Sequence, residues 1–368
     1  SFSGDYYWKN NTDIITNGPT LPNLYGASAP KGNYASLATK GWEVTLSWRD
    51  AVKLGNHDFN YSIKGSLWDT RSWVSSYPST DGNIFALYTG KEIGEIWGLR
   101  TNGYFRDNVE ALNHASANGW ITHGNSPALY AGDLKYIDLD GDGTINYGKG
   151  TLEDHGDLTR IGNMTPRYQY GVNLDFSWNG IGLSMFFQGV GKRDWYPTID
   201  SGLFYGPYNR TFTGWQFKAQ NDYAKVDYYN ADGSINEDWV VTNFADRPYW
   251  TRRVGHTAQR TNGALATEND YYLQNAAYIR LKNLTVDYTL PANLTQKAKI
   301  DKVRFYVSME NLWTWSPIFK VTDAFDPEGI GRGDTDFDTA AALGQDGSGD
   351  GSGYPMLRSF TFGNNLTF

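Results

Sequence analysis

The chain has 368 residues, with 16% aromatic and 20% charged side chains, 41 glycines, no cysteine and a formal net charge of −8. An aromatic-rich chain of this kind is not typical of disordered proteins, and without cysteine it forms neither disulfides nor thiolate metal sites. The acidic balance offers no positive surface for nucleic acid, and no segment reaches the ~18 consecutive apolar residues of a transmembrane helix. If the chain crosses a membrane, it does so as a β-barrel.

Alternating apolar and polar residues predict eight β-strands. The weakest pattern runs from Phe2 to Ile14. The clearest runs from Tyr168 to Trp178, and the Asn179-Gly180 pair after it favours a type I′ hairpin turn. In chain order, the predicted strands cover residues 2–14, 42–49, 59–67, 168–178, 181–187, 284–290, 303–309 and 360–368.

The connections between these strands alternate in length. Short connections follow Arg49, Trp178 and Leu290. Long connections follow Ile14, Leu67, Phe187 and Met309. Two of the long connections approach a hundred residues, far beyond the ~12–15 of an ordinary structureless loop, so we expect them to fold internally or to carry function. Within the first of them, residues 107–118 predict a short helix capped by Asp107.

Two architectures produce such strands: a soluble sandwich with one face on its core, and a transmembrane barrel with an apolar outer face and a polar lumen. The alternation from Tyr168 to Trp178 matches the ~9–11 residues that cross a bilayer better than the ~5–6 of a sandwich strand. Aromatic residues at the predicted strand ends are typical of interfacial girdles, namely Trp42, Trp48, Tyr168, Trp178 and Phe368. The pattern favours an all-β, antiparallel transmembrane β-barrel.

No catalytic motif emerges from the sequence. The five histidines are scattered without a zinc-binding spacing, and neither HExxH nor GxSxG is present. We therefore expect a protein that is not an enzyme. The alternative, a hydrolase, would require two carboxylates ~5–10 Å apart across a cleft.

Aromatic residues are unusually frequent between residues 190 and 277. Aromatic faces stack on sugar rings and on apolar ligand groups, so Trp195, Tyr205 and Trp215 are candidate substrate contacts. The alternative is that they form the core of a long loop, which must bury apolar surface to stay folded.

Several strings in this chain resemble the SusC/RagA-like TonB-linked outer-membrane transporters. They are KGWEVTLSWRD (40–50), IWGLRTNGYF (96–105), GDLKYIDLDGDGTIN (132–146), RIGNMTPRYQYGVN (160–173), FFQGVG (186–191), ENLWTWSPIF (310–319), FDPE (325–328) and YPMLRSFTFGNNLTF (354–368). Their order resembles the C-terminal portion of that family. The resemblance implies that residues 1–368 form about eight C-terminal strands of a 22-stranded barrel, whose plug, TonB box and remaining strands lie outside this chain.

The same resemblance implies a function in transport. Members of the family import large nutrients across the outer membrane, together with a SusD-like surface lipoprotein and the TonB complex. We expect an oligosaccharide as cargo, with oligopeptide as the runner-up, and we expect the long loops to be extracellular. Outside transport, the alternative is a soluble carbohydrate-binding β-sandwich or adhesin.

The predicted last strand resembles the assembly signal of outer-membrane barrels, which ends on a C-terminal aromatic residue. The residues concerned are Phe360, Phe362, Leu366 and Phe368. The alternative is a closing strand that ends on phenylalanine by chance.

A calcium loop is predicted from Asp138, because carboxylates stand at positions 1, 3 and 5 and glycine stands at position 6. Position 12 is Lys149, so this is not an EF-hand, and a further carboxylate must come from farther along. We expect Asp157 rather than Glu153 or Asp154, because Asp157 directly precedes the segment that resumes the family pattern. The predicted ligands are Asp138, Asp140, Asp142, Thr144 (through its carbonyl) and Asp157.

Calcium is the expected ion at this loop, with magnesium as the second choice. We expect a structural role, in which the ion pins the long loop after Leu67. The alternative is a metal-free Asx-turn, in which the aspartate side chains accept hydrogen bonds from backbone amides.

Overall fold

The computed structural model describes residues 1–18, 26, 30–79, 82–114, 116–117, 129–197, 204, 218–251, 268–330 and 356–368. Its main feature is one antiparallel sheet of eight strands, each hydrogen-bonded to its neighbours in sequence. The strands are β1 (Phe2–Asn17), β2 (Lys31–Leu54), β3 (His57–Ser76), β4 (Arg167–Trp178), β5 (Ile181–Lys192), β6 (Tyr278–Thr289), β7 (Lys302–Trp315) and β8 (Ser359–Thr367).

All eight predicted strands are present, and most are longer than their alternating pattern. The greatest extension is in β2, whose pattern begins at Trp42 although the strand begins at Lys31. Trp42 and Trp48 therefore lie inside a strand rather than at its ends, which corrects their assignment to strand termini. The predicted hairpin turn is confirmed, because Asn179 and Gly180 have φ of 47° and 84°, as a type I′ turn requires.

The cross-strand register gives the sheet two chemically different faces. The apolar face carries a row that crosses seven strands through Trp48, Ile63, Leu174, Met185, Leu284, Met309 and Phe360. The polar face carries the neighbouring row through Ser47, Lys64, Asn173, Phe186, Asn283, Glu310 and Ser359. Hydroxyl pairs connect strands on this polar face, such as Thr45 with Ser66 at 2.9 Å.

The apolar face is exposed. Leu46 retains 58% of its accessible surface and Phe362 retains 76%. Among the described residues, no second sheet covers this face, because every other sheet has only two strands and lies within the connections. A soluble sandwich would bury these side chains, so the sandwich alternative does not fit.

Three long connections leave the sheet at the same end of its strands: loop A (residues 77–166), loop B (residues 193–277) and loop C (residues 316–358). Short strand pairs within them join Glu95–Leu99 to Leu158–Asn163, Thr101–Tyr104 to Leu134–Tyr136, Ser116–Ala117 to Thr144–Ile145 and Asp194–Trp195 to Gln274–Asn275. The prediction of internal folding is confirmed for the described parts of these loops.

Helices are few and short in the described residues. The predicted helix is present as α1 (Asn108–Leu112), and Asp107 caps it by accepting a hydrogen bond from the Glu110 amide at 2.8 Å. It is shorter than the predicted range of 107–118, because Ser116–Ala117 pairs as a strand with Thr144–Ile145. The others are α2 (Ala292–Thr295) and the 3₁₀ turns Lys218–Asn221, Phe244–Asp246, Gln296–Ala298 and Pro317–Lys320. None of these helices has the length and apolar composition needed to cross a membrane.

The main hydrophobic core lies in the loops and not on the sheet. Loop A contributes Leu99, Phe105 and Tyr136, all fully buried, and loop C contributes Ile318 and Phe325. Loop B completes the core with Trp195, Phe204, Trp250, Tyr272 and Ala276. The three loops therefore fold together into one layer at this end of the strands.

Candidate functional site

The first candidate site is the predicted calcium loop, which lies in loop A. Carboxylate oxygens of Asp138, Asp140 and Asp157 lie within 4.8 Å of one another. Gly141 and Gly143 have φ of 77° and 83°, a backbone conformation that allows the sharp turn between the first two aspartates and the rest of the loop. The structure thus brings Asp157 to the front of the loop.

The remaining predicted ligands have other partners. Asp142 is outside this group of three carboxylates, and its Oδ1 accepts a hydrogen bond from the Thr144 amide at 2.7 Å. The Thr144 carbonyl accepts a hydrogen bond from Asn146 Nδ2 at 3.0 Å. The set of clustered carboxylates is therefore narrower than the set of ligands predicted from the loop spacing.

The same carboxylates also accept hydrogen bonds from backbone amides. Asp138 accepts them from Gly141 and Gly143 at 2.7 and 2.9 Å, and Asp157 accepts them from Leu139 and Asn146 at 2.6 and 2.8 Å. This is the arrangement expected of Asx-turns without metal. Each carboxylate oxygen has two acceptor positions, so these bonds leave room for a cation at the same oxygens.

Asp157 is the buried member of the group, with no exposed surface. Burial raises the pKa of this carboxyl, and the neighbouring Asp140 carboxylate raises it further, although hydrogen bonds from the backbone amides of Asn146, Leu139 and Asp140 oppose the shift. A buried carboxylate beside other carboxylates is costly unless opposite charge compensates it. A cation within the group would supply that charge.

The second candidate site is the aromatic cluster of loop B. Trp195 is only 3% exposed, and its ring meets Phe204 and Phe325 edge to face, with centroids 5.8 and 5.0 Å away. Phe204 in turn packs against Trp250 at 5.2 Å. Trp195 therefore occupies the position of a core residue, which is the alternative to a substrate contact. Tyr205 and Trp215 lie outside the described residues.

A third cluster, which we call the Arg280 clasp, ties loop C to the sheet. Arg280 lies on β6, with only 3% of its side chain exposed, and it donates to Glu328 at 2.7 Å and to Asp326. Asp326 also accepts a hydrogen bond from the Met356 amide at 3.0 Å. The clasp therefore connects two positions of loop C, Asp326 and Met356, to each other and to the sheet. Lys282 adds a second contact to Glu328 at 2.8 Å.

Sequence patterns did not predict this clasp, because an alternation of apolar and polar residues does not identify charge partners across 46 residues. The FDPE string contains both acidic partners, but in the sequence it indicates only the family resemblance. A similar contact joins Arg71 on β3 to Glu92 in loop A. These pairs fix the bases of two loops on the rim of the sheet.

Comparisons with known proteins agree with this architecture. No protein-family model matches the chain. TonB-dependent receptor P3 of Formosa agariphila is 27% identical over 100% of this chain and 32% of its own length. Receptors P26 and P39 of the same organism are 24% and 23% identical over 99% and 90% of this chain. The chain spans about a third of the length of these curated relatives.

Solved structures share the fold. The structure of the RagAB peptide transporter matches 86% of this chain and 30% of its own chain, with a TM-score of 0.52 and 16% identity. The RagAB peptide importer in its "closed-closed" state matches 85% of this chain and 30% of its own, with a TM-score of 0.53 and 15% identity. At this identity the likeness concerns the fold alone.

The two-faced antiparallel sheet with loops folded on one edge is part of the wall of an all-β barrel. The matches confirm the resemblance found in the sequence: over the part that it spans, this chain is similar in sequence to TonB-dependent receptors and similar in fold to the RagAB structures. These relatives are receptors and transporters rather than enzymes, in agreement with the prediction that the chain is not an enzyme.

Replacing Trp195 tests its role as a core residue. Trp195→Ala should destabilise the loop layer by about 3–5 kcal/mol, because it removes a buried ring and leaves a cavity. The effect is measured as faster limited proteolysis of loops A and B in the folded receptor. The control is Tyr229→Ala in loop B, whose ring is 64% exposed and whose removal should change little. An unchanged proteolysis rate for Trp195→Ala would contradict the core assignment.

Proposed function

We propose that this chain is part of an outer-membrane transporter that imports a large nutrient with energy delivered by TonB. The observation that carries the proposal is the similarity to three TonB-dependent receptors over 90–100% of the chain. The exposed apolar face supports it, because such a face is stable against lipid. The plug, the TonB contact and the remaining strands would come from regions outside this chain.

The long loops are proposed to be extracellular and to carry a SusD-like lipoprotein. The described parts of loops A, B and C share one hydrophobic core at one end of the strands, which supports a common surface for such a partner. The short turns at residues 55–56 and 179–180 lie at the opposite edge and would face the periplasm. The RagAB structures are similar in fold to this chain.

The proposed cargo is an oligosaccharide, and oligopeptide is the alternative. The peptide alternative is favoured by one observation, since the solved structures of similar fold are described as a peptide transporter and a peptide importer. Tyr205 and Trp215 remain proposed cargo contacts. Trp195 is no longer proposed for this role, because its ring is buried in the loop core.

A comparison of uptake by wild-type cells and by cells that lack this receptor tests the import function and its cargo. Wild-type and deletion strains receive a mixture of oligosaccharides and oligopeptides, and mass spectrometry follows the depletion of each from the medium. We expect oligosaccharides to be depleted only by the wild type, and only while TonB is intact. Depletion of peptides alone would replace the proposed cargo with the alternative. Equal depletion of both classes by the two strains would contradict the import function.

We further propose that the group of Asp138, Asp140 and Asp157 holds a calcium ion with a structural role, with magnesium as the second choice. Hard cations prefer carboxylate oxygens, and three such oxygens lie within 4.8 Å of one another here. The ion would join two parts of loop A that are separated in sequence, the turn at Asp138 and Asp140 and the residue Asp157. The hydrogen bond from the Leu139 amide to the Asp157 carboxylate already connects these parts. Loop A would then be held in the form that supports the core.

Calcium should stabilise the receptor, and Asp157→Asn should remove most of that effect. At a calcium concentration 100 times Kd, binding to the folded state alone stabilises by about 2.7 kcal/mol. The measurement is thermal unfolding with calcium and with a chelator. The control is Asp232→Asn, an exposed aspartate in loop B that accepts hydrogen bonds from Ser234 and should leave the calcium effect intact. An identical response of the wild type and Asp157→Asn would exclude the site.

The metal-free receptor should also respond to pH. The pKa of Asp157 is raised above its usual value of 3.8. The folded state therefore binds this proton more tightly than the unfolded state, and stability falls as pH rises from 3.8 through the raised value. Calcium should cancel this loss at neutral pH, because it binds the ionised carboxylate. Unfolding curves in chelator across this pH range measure the effect, and Asp157→Asn should flatten it.

Phe360, Phe362 and Leu366 on β8, together with Phe368 directly after it, are proposed as the assembly signal of the barrel. Their side chains are exposed, and Phe368 is the most exposed of them at 83%. Deleting Phe368 should lower the amount of assembled receptor in outer-membrane fractions, because the assembly machinery would lose its aromatic contact. Replacing Phe85, an exposed phenylalanine of loop A, with alanine serves as a control. Assembly at the wild-type level would assign Phe368 to an incidental strand end.

A further inference from the structure

A row of cationic and aromatic side chains lies on the apolar face at the level where its apolar pattern ends toward the long loops, although β1 and β2 continue beyond it to Asn17 and Lys31. The cross-strand register places Trp8 on β1 opposite Lys40 on β2, and Lys40 opposite Arg71 on β3. The next row toward the short turns contains Tyr6, Trp42 and Asp69. Asp69 is buried and forms an ion pair with Arg167, and the apolar part of the face continues below this row. The row therefore sits directly above the surface that faces lipid.

Two like charges directly opposite each other in a sheet destabilise it unless something compensates them. Arg71 is compensated in part, because its Nε and Nη2 donate to Glu92, the Nε bond being 2.7 Å long. Lys40 has no carboxylate partner among the described residues, and its Nζ lies 4.7 Å from the centroid of the Trp8 ring. The row consequently carries one uncompensated positive charge.

The depth of this row in a membrane follows from its neighbours. Side chains of the apolar face below it, such as Val44 and Leu46 on β2, belong to the hydrocarbon layer. Tryptophan and lysine are favoured at the boundary where hydrocarbon meets the headgroups. Trp8, 64% exposed, and Lys40, also exposed, thus lie at headgroup depth on the lipid side of the wall.

We propose that Lys40, Arg71 and Trp8 form a binding site for the phosphate of a lipid A headgroup in the outer leaflet. The Lys40 ammonium and the Nη1 group of Arg71, which is not used by Glu92, donate to the phosphate oxygens. Trp8 packs against the glucosamine and the first methylenes of the lipid. The apolar face continues below and takes the acyl chains. The site goes beyond nutrient import, since it depends on the lipid-facing side of the wall and not on the cargo, and its place in the outer leaflet rests on the proposed extracellular position of the long loops.

Native mass spectrometry of the intact receptor in detergent tests this site. The probes are a synthetic phosphorylated lipid A, the same lipid without phosphate, and inorganic phosphate. We expect the phosphorylated lipid to bind, and Lys40→Gln to weaken its binding about fivefold. Lys40→Arg should restore binding, because it restores the charge.

Lys64→Gln is the matched control, since Lys64 is an exposed lysine on the polar face of the neighbouring strand and should leave binding unchanged. Trp8→Leu is a second variant with an expected loss of a few fold, and it decides the question if Lys40→Gln does not fold. Equal binding of the two lipids by the wild type, or equal affinity of the wild type and the folded variants, would overturn the proposal. Competition by inorganic phosphate at the concentration of the lipid would assign a free-anion site and would equally overturn it.

Discussion

The exposed apolar face of the sheet is the constraint on which the rest of this structure depends. Eight paired strands satisfy their internal backbone hydrogen bonds, but nothing in the described chain covers side chains such as Leu46 and Phe362. A surface of this size is stable only against another apolar phase, which a lipid bilayer supplies. The sheet therefore cannot supply the hydrophobic core that a soluble domain of this length would build on it.

The core of the chain is consequently built by its connections. Loops A, B and C contribute aromatic and aliphatic side chains to one cluster, in which Trp195 and Phe325 meet although they lie in different loops. Packing of this kind offsets the conformational entropy lost when such long connections become ordered. The three loops therefore form one small folded unit joined to the sheet, rather than three loops that fold independently.

Charged contacts attach that body to the wall. Arg280 and Arg71 are on strands, while their acidic partners are in loops C and A. The Arg280 contact is the more buried, and removing one partner would leave an uncompensated charge away from water. The apolar loop core and these arginine contacts thus act on different parts of the loops. The core joins the loops to each other, and the arginine contacts join their bases to the sheet.

The sequence by itself determined the eight strands of the main sheet, the hairpin turn at Asn179 and the start of the short helix after Asp107, but not the full length of the strands. These features depend on neighbouring residues, because alternation and capping are local patterns. Local patterns also located the front of the acidic loop at Asp138 and Asp140. The family resemblance added the choice of Asp157 as a distant partner. In the structure, the Asp157 carboxylate lies close to those of Asp138 and Asp140.

Only the tertiary structure decided which aromatic side chains are buried and which charges meet. Trp195 is of a residue type that often contacts ligands, but its ring is buried in the core. Its burial depends on side chains from other loops, such as Phe325 of loop C. Asp326 lies 46 residues from Arg280, and no periodicity connects them. The row of Trp8, Lys40 and Arg71 likewise exists only through strand register. Local pattern fixes the backbone of a sheet, whereas contacts between distant segments follow from how the segments pack.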